Sequence, residues 1–133
     1  MPKEVKGVRY HPSDGFSSFQ STQQHLLKNL YAAIDCQTVE CVNLTHTVSV
    51  WCDEEFCFKQ QKWLDEIGMI PCIKMGDNLE IQGIMVFLGG TSRTGKCLDV
   101  DIDTFDKLRQ NFEYFGRQTT RQPFFRIVEN EHL

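Results

Sequence analysis

Residues 79–100, LEIQGIMVFLGGTSRTGKCLDV, decide the fold that we expect for this chain. The first part, Leu79–Leu88, is rich in Ile, Val, Met and Phe, which is typical of a strand with little exposure to solvent. The glycine-containing segment Gly89–Lys96 then turns the chain, and Cys97–Val100 alternates polar and apolar side chains as a second strand does. The stretch therefore predicts a β-hairpin and, with it, a mainly antiparallel sheet.

The turn of this hairpin resembles a phosphate-binding P-loop but lacks two of its parts. From Gly90 to Lys96 the residues follow the spacing G-x-x-x-x-G-K, yet Cys97 replaces the Ser or Thr that would hold Mg²⁺. A P-loop also needs a helix whose first N–H groups point at the phosphates, whereas a strand pattern with Asp99 and Asp101 follows here. The stretch therefore excludes a P-loop nucleotide hydrolase.

Outward from the hairpin, periodic patterns predict helices and further strands that the sheet would carry. Together they indicate an α+β fold of two layers, a mostly antiparallel sheet with two main helices packed on one face, formed by residues 1–133 as a single domain. The elements are a strand at Glu4–Tyr10, a helix from the S-x-x-Q capping pattern at Ser21 to Ile34, strands at Thr38–Leu44 and Thr47–Cys52, a helix at Gln60–Ile67 ended by Gly68, a connector at Pro71–Asn78, a helix capped by Asp103 that carries Phe105, Leu108, Phe112 and Phe115 and ends at Gly116, and a strand at Phe124–Val128.

Composition places the chain among ordinary globular proteins. It has 133 residues, 24% of them charged, and a net charge of −4, which argues against broad binding to nucleic acid through phosphate neutralisation. No apolar run approaches the ~18 residues of a membrane-spanning helix, and the N-terminus lacks the apolar core of a signal peptide. We therefore expect a cytoplasmic protein whose six cysteines are reduced.

Several short patterns are similar to those of a small domain family of unknown function that is typical of phages, plasmids and their bacterial hosts. They lie at Val39–Leu44, Val50–Glu55, Gly76–Leu79, Ile84–Gly89 and Leu98–Asp103. The resemblance covers residues 31–108, and it makes residues 116–133 a C-terminal extension. It implies an accessory protein of a mobile element that acts inside a bacterial cell, and it brings no activity with it.

Two sets of residues have the types that bind metals. The pairs Cys36/Cys41 and Cys52/Cys57 could supply thiolates to zinc, but each pair has four intervening residues and no knuckle glycine. The acidic residues Asp53–Glu55 and Asp99, Asp101 and Asp103 could bind Mg²⁺ or Ca²⁺, but alternating acids along a strand are also what a solvent-exposed face produces. We expect no bound metal and no cofactor.

Nucleophilic catalysis has little support in the sequence. Cys97 follows the glycine loop, and His11, His25 and His46 could act as a base. Nothing in the spacing links any one of these histidines to the thiol, as an activated cysteine would require. We therefore expect that the protein is not an enzyme.

The best candidate site combines the turn of the hairpin with arginines of the C-terminal region. Turn backbones bind anions through their N–H groups, and guanidinium groups match phosphate oxygens, so these residues together suit a phosphorylated ligand. Phe124 and Phe125 would add an aromatic wall. The predicted ligand-binding residues are Thr91, Ser92, Arg93, Thr94, Lys96, Arg117 and Arg121.

The sequence thus leads to one functional expectation and two alternatives. The first is a non-enzymatic binding protein for a small phosphorylated or nucleotide-like molecule, a counter-defence sponge that removes its ligand by affinity; a homo-oligomer is compatible with this role. One alternative is a protein–protein inhibitor or adaptor of a host protein, which would use an exposed sheet edge or the acidic turn Asp53–Glu55. The other is a cysteine-liganded zinc-binding protein. We expect no membrane partner and no nucleic-acid partner.

Overall fold

A computed structural model of the chain describes residues 4–75 and 79–118. Within these residues, three helices and two antiparallel sheets form an α+β fold, which confirms the fold class predicted from the sequence. The elements are β1 (Glu4–His11), β2 (Gly15–Thr22), α1 (Leu26–Ile34), β3 (Val39–Asn43), β4 (Ser49–Asp53), a 3₁₀ turn (Phe56–Lys59), α2 (Gln60–Ile67), β5 (Ile70–Lys74), β6 (Glu80–Gln82), β7 (Met85–Leu88), α3 (Ile102–Arg109) and β8 (Glu113–Arg117).

The larger sheet has the strand order β2-β1-β7-β4-β3, with β7 at its centre. All four residues of β7 are buried, because the strand is covered on both faces. Met85 and Phe87 contribute to a core cluster with Phe105 of α3, whereas Val86 and Leu88 contribute to a second cluster that contains the buried face of α1. The apolar run thus belongs to the strand around which both cores form.

The smaller sheet has the order β6-β5-β8, and its strands contradict two predictions made from the sequence. The run Leu79–Leu88 is not one strand, because Gly83 adopts a left-handed φ of 83° and divides it into β6 and β7, which lie in different sheets. The connector predicted at Pro71–Asn78 is also wrong for its first part, since Ile70–Lys74 forms the central strand β5. Residues 76–78 lie outside the described residues.

The predicted start of the first helix is wrong. Ser21 does not open a helix; it lies in β2, which pairs with β1 in an antiparallel hairpin, and α1 begins at Leu26. The hydroxyl of Ser21 instead donates to the carbonyl of Thr22 and accepts a hydrogen bond from the amide of Asn29. The predicted end of the helix at Ile34 is confirmed.

The middle of the chain follows the sequence-based expectations. Strands β3 and β4 pair in the predicted hairpin. Helix α2 spans Gln60–Ile67, as expected, and ends where Gly68 adopts a left-handed φ of 78° and donates its N–H to the carbonyl of Leu64.

The third helix begins and ends earlier than the sequence indicates. Its N-cap is Asp101, whose carboxylate accepts hydrogen bonds from the N–H and the hydroxyl of Thr104, and Asp103 lies in the first turn. The helix ends at Arg109, and Gly116 lies in β8 rather than at a helix end.

Two predicted strands have different outcomes. Residues 97–100 do not form the expected strand, although Thr91 and Cys97 form an isolated antiparallel bridge and the N–H of Val100 donates to the carbonyl of Lys6. The strand predicted at Phe124–Val128 lies outside the described residues. In the part of the chain that the structure describes, no helix is both long enough and apolar enough to cross a bilayer.

Candidate functional site

The turn that follows β7 is closed by its own hydrogen bonds. The N–H of Ser92 donates to the carbonyl of Lys96 over 2.8 Å, and the N–H of Gly95 donates to the carbonyl of Ser92 over 3.0 Å. The N–H of Lys96 donates to the hydroxyl of Ser92, which also contacts the hydroxyl of Thr94 at 3.0 Å. These three backbone N–H groups therefore point into the turn and are already hydrogen-bonded there.

The cations of the predicted site lie in different parts of the fold. Arg93 and Lys96 are exposed on the turn, which follows the Leu88 end of β7. Arg117 lies on β8 in the smaller sheet, where Nη2 and Nε donate to the two carboxylate oxygens of Glu80 over 2.6 and 3.0 Å. Arg121 is outside the described residues. A joint site of the turn and the arginines therefore stays a prediction.

A cleft lies elsewhere, between the end of α1 and one side of α2, and we call it the α1–α2 cleft. Its floor is the junction of β6 and β7 at Gly83, and the end of β1 contributes His11. Its volume is about 140 Å³. Asp35 and Lys62 stand at its rim and Trp63 forms a wall, so the cleft combines charged groups with an aromatic surface.

An ion pair forms one side of this cleft. The ammonium group of Lys59 lies 2.7 Å from Oδ2 of Asp53 and donates to the backbone carbonyl of Asp35 over 2.8 Å. The other carboxylate oxygen of Asp53 accepts the N–H of Glu55 over 2.8 Å, and its side chain is 10% exposed. A second depression, lined by Cys36 and these charged residues, lies beside the ion pair. Lys59 thus connects the end of α1 to the end of β4 and separates the two depressions.

The backbone at Asp35 explains how its carbonyl reaches Lys59. Asp35 is the C-cap of α1 and adopts a left-handed conformation with a φ of 60°, which an aspartate tolerates better than most residues. Its N–H donates back to the carbonyl of Tyr31. Its carboxylate faces solvent and lies 3.7 Å from the ammonium of Lys62.

The ring of Trp63, which forms the aromatic wall of the cleft, packs against other rings. The ring of Trp63 lies 6.1 Å from that of Phe56 and 6.2 Å from that of His11. Phe56 is buried, and a Cβ on Gly83 would lie only 2.9 Å from its ring, so only glycine fits there without displacing Phe56. Gln60 of α2 donates to the buried amide oxygen of Gln82 over 3.1 Å and fixes α2 to the floor.

Cys36, Cys41 and Cys52 are poorly suited to act as thiolates. Burial, together with the nearby carboxylate of Asp53, raises the pKa of Cys36 to about 11. Burial likewise raises the pKa of Cys41 to about 11 and raises that of Cys52 further. Within residues 4–75 and 79–118, no three His, Cys, Asp or Glu side chains form a group that could hold a metal ion.

Sequence reasoning named Asp53 only as part of an acidic turn, and it did not single out Asp35, Lys59 or Trp63 as site residues. The three charged residues come from the end of α1, the end of β4 and the 3₁₀ turn, so no local motif joins them. Gly68 marks the end of α2 in the sequence, but it does not indicate which elements pack beside Trp63. Comparison of the chain with protein-family models, with curated proteins and with solved structures finds no match, so its function must be argued from this geometry.

Proposed function

We propose that the protein is a non-catalytic binding protein and that its ligand, a small molecule with a flat ring and an anionic group such as phosphate, binds in the α1–α2 cleft. The observation that carries the proposal is the placement of the Trp63 ring and the Lys62 ammonium on the same concave surface. A ring that stacks on an indole and an anion that pairs with an ammonium are the two recognition elements of a nucleotide-like ligand.

The size of the cleft limits what enters it. Its volume of about 140 Å³ is below the roughly 300 Å³ at the lower end for pockets that enclose drug-sized ligands. The cleft therefore accepts one ring system, while the phosphate and any further groups stay at the solvent-exposed rim near Lys62.

The two lysines of the cleft have different roles. Lys59 is held by Asp53 and by a backbone carbonyl, so it serves the fold. Lys62 is 56% exposed and its distance to the Asp35 carboxylate is 3.7 Å. Exposed ion pairs of this kind contribute little to stability, so an anionic ligand replaces Asp35 as the partner of Lys62 at small cost.

The contacts of Asp53 argue against its use as a general base. Both oxygens of Asp53, the most buried acid of the cleft, are occupied by Lys59 and by the N–H of Glu55. A general base needs a free lone pair directed at the substrate. Asp53 therefore acts as a fixed structural anion.

Intrinsic fluorescence tests the proposal directly. Trp51→Phe leaves Trp63 as the reporter, and it removes no hydrogen bond formed by the described residues, because the indole N–H of Trp51 is buried without a partner among them. Titration with AMP, GMP, the corresponding nucleosides and inorganic phosphate should show saturable quenching by at least one nucleotide. Lys62→Gln should weaken this binding, whereas Lys28→Gln, at an exposed position on α1, should not.

The same titration separates this site from the turn after β7. If Arg93→Ala and Lys96→Ala abolish binding and Lys62→Gln has no effect, the ligand binds at the turn, as the sequence predicted, and our placement is wrong. If no nucleotide, nucleoside or phosphate changes the fluorescence, the proposed ligand class is wrong. The counter-defence role and the alternative role as an adaptor stay predictions.

A further inference from the structure

His11 is the last residue of β1, and it lines the α1–α2 cleft beside Trp63. Its Nδ1 accepts a hydrogen bond from the backbone N–H of Ser13 over 3.0 Å. In a neutral imidazole the nitrogen that accepts a hydrogen bond carries no proton, so the proton of His11 lies on Nε2. The turn that follows β1 thus fixes which nitrogen of the ring is a donor.

The carboxylate of Asp14 does not change this assignment. Its Oδ2 lies 3.8 Å from Nδ1 of His11, which is longer than a hydrogen bond, and its side chain is 76% exposed. The N–H of Ser13 is closer and within hydrogen-bond distance. No residue in the described part of the chain binds Nε2 of His11, so this N–H is available to a ligand.

The angle between the rings of His11 and Trp63 determines how the imidazole reaches a ligand. The ring centres are 6.2 Å apart and the ring planes are inclined by 58°. A ligand ring stacked between two parallel rings would need them roughly 7–8 Å apart, because each stacked contact takes about 3.5–4.0 Å. A ring that stacks on Trp63 is therefore not sandwiched by His11, and the imidazole contacts its edge.

We propose that His11 donates its Nε2–H to an acceptor atom at the edge of the ligand's ring, and that this ring is a nitrogen heterocycle such as a nucleobase. The inference rests on the proposed function, the binding of a flat ring in the α1–α2 cleft, and it names the class of ring. Ring nitrogens and carbonyl oxygens of a nucleobase accept hydrogen bonds in the plane of the ring, whereas a benzene ring has no such acceptor.

The other cations of the cleft leave this task to His11. A ring acceptor that enters the cleft loses its hydrogen bonds to water, and this costs free energy unless a donor replaces them. Lys59 is not available, because its ammonium binds Asp53 and the carbonyl of Asp35. Lys62 stands at the rim, where it meets the anionic group of the ligand. His11 lies beside Trp63 and is therefore placed to satisfy the ring that stacks there.

Isothermal titration calorimetry on the full chain tests the proposal. Calorimetry is preferred to fluorescence here because a change at His11 alters the surroundings of Trp63. The probes are AMP, GMP, their nucleosides and phenyl phosphate, which has a flat ring and an anion but no acceptor at the edge of its ring. His11→Phe keeps a ring beside Trp63 and removes the donor. It should weaken the binding of nucleotide and nucleoside by about three- to tenfold and leave that of phenyl phosphate unchanged.

Lys62→Gln should show the opposite selectivity. It removes the partner of the anion, so it should weaken the binding of nucleotide and of phenyl phosphate but not that of the nucleoside. The two variants thus act on different parts of the same ligand. His25→Phe is the matched control, since it makes the same change at an exposed histidine before the start of α1, and it should bind every probe like the unmodified chain.

Two polar variants separate the donor of His11 from its role in the turn. His11→Asn keeps an acceptor for the N–H two residues further on, as asparagine does in turns, but its short side chain has no group at the position of Nε2. His11→Gln places an amide N–H near that position. We expect His11→Gln to bind nucleotide with close to the unmodified affinity and His11→Asn to bind it as weakly as His11→Phe does.

Three results would overturn the assignment of His11. One is a His11→Phe variant that binds nucleosides like the unmodified chain. Another is an equal loss for nucleotide and phenyl phosphate, which would mean that the imidazole only supports Trp63. The third is a His11→Gln variant as weak as His11→Phe. In each case the proposed function stands if Lys62→Gln still weakens nucleotide binding, whereas a lack of binding by every probe refutes both. If circular dichroism shows that His11→Phe fails to fold, His11→Asn takes its place in each comparison.

Discussion

Replacing Lys59 by methionine removes the ammonium group that connects the end of α1 to the end of β4. The substitution keeps most of the side-chain volume, so it tests the charge and its hydrogen bonds rather than packing. Two contacts are lost, the ion pair with Asp53 at 2.7 Å and the hydrogen bond to the carbonyl of Asp35 at 2.8 Å. The carboxylate of Asp53 is then left nearly buried with only the N–H of Glu55 as a partner.

The structure sets the size of the expected loss. Removing one partner of a fully buried ion pair costs about 3–5 kcal/mol, because the remaining charge stays desolvated. The side chain of Lys59 is 36% exposed, so water reaches the vacated position and reduces the cost. The lost hydrogen bond to the Asp35 carbonyl adds about 1 kcal/mol. We therefore expect Lys59→Met to lower the free energy of unfolding by about 1–3 kcal/mol.

Urea unfolding of single and double variants measures this value. Asp53→Asn removes the charge but keeps an oxygen for the N–H of Glu55, so the cycle with Lys59→Met isolates the ion pair, with an expected coupling energy of about 1–2 kcal/mol. Lys62→Met is the matched control, because its exposed 3.7 Å pair with Asp35 should cost less than about 0.5 kcal/mol. A loss at Lys59 no larger than that at Lys62, or a coupling energy near zero, would refute the role that we assign to the ion pair.

Three further predictions concern backbone, pH and thiols. Gly83→Ala should lower the free energy of unfolding in urea by about 2–5 kcal/mol, because it combines a left-handed φ with overlap of a buried ring. Gly95→Ala has the same φ of 83° but open space around the new Cβ, so it should lower that free energy by about 1–2 kcal/mol. Equal losses for the two variants would contradict the overlap with the ring. Hydrogen bonds from Thr104 hold the pKa of Asp101 below its usual range, so its stabilising effect is present above its unfolded-state pKa and lost as pH falls through its folded-state pKa. Asp101→Ala should therefore lower the melting temperature at pH 7, and the difference in melting temperature from the unmodified chain should vanish in strong acid. A difference that persists in strong acid would contradict a stabilising role for the ionised carboxylate. A pKa of about 11 leaves on the order of one Cys36 thiol in ten thousand ionised at pH 7, against a few per cent for an ordinary cysteine. Mass spectrometry should therefore find slower alkylation of Cys36 than of glutathione until the pH approaches 11.

The parts of the fold that were predictable from sequence are those in which local pattern and tertiary environment agree. The apolar run that contains β7 indicates a buried strand, and β7 is the central strand of the larger sheet. Helix α2 matches its predicted bounds, because a helical stripe that contains Trp63 and a terminating glycine act together. The hairpin of β3 and β4 has β-branched residues on both sides of a short turn, which is a local signal as well.

The errors arise where tertiary context overrides a local signal. The S-x-x-Q pattern at Ser21 is a valid helix signal, but eight backbone pairs between β1 and β2 keep the segment extended. The strand predicted over Leu79–Leu88 divides at Gly83, since a glycine in an apolar run allows the chain to leave one sheet and enter another. Periodicity describes which side of a strand is apolar, but it does not describe which sheet the strand joins.

The candidate site shows why contiguous motifs misdirect a search for function. The turn after β7 attracts attention because its glycines and cations are adjacent in sequence, yet its own hydrogen bonds use three of the N–H groups that would hold a phosphate. In the α1–α2 cleft, Lys59 binds both Asp53 and the backbone carbonyl of Asp35, two residues that are 18 positions apart in the sequence. No sequence pattern predicts that these residues meet.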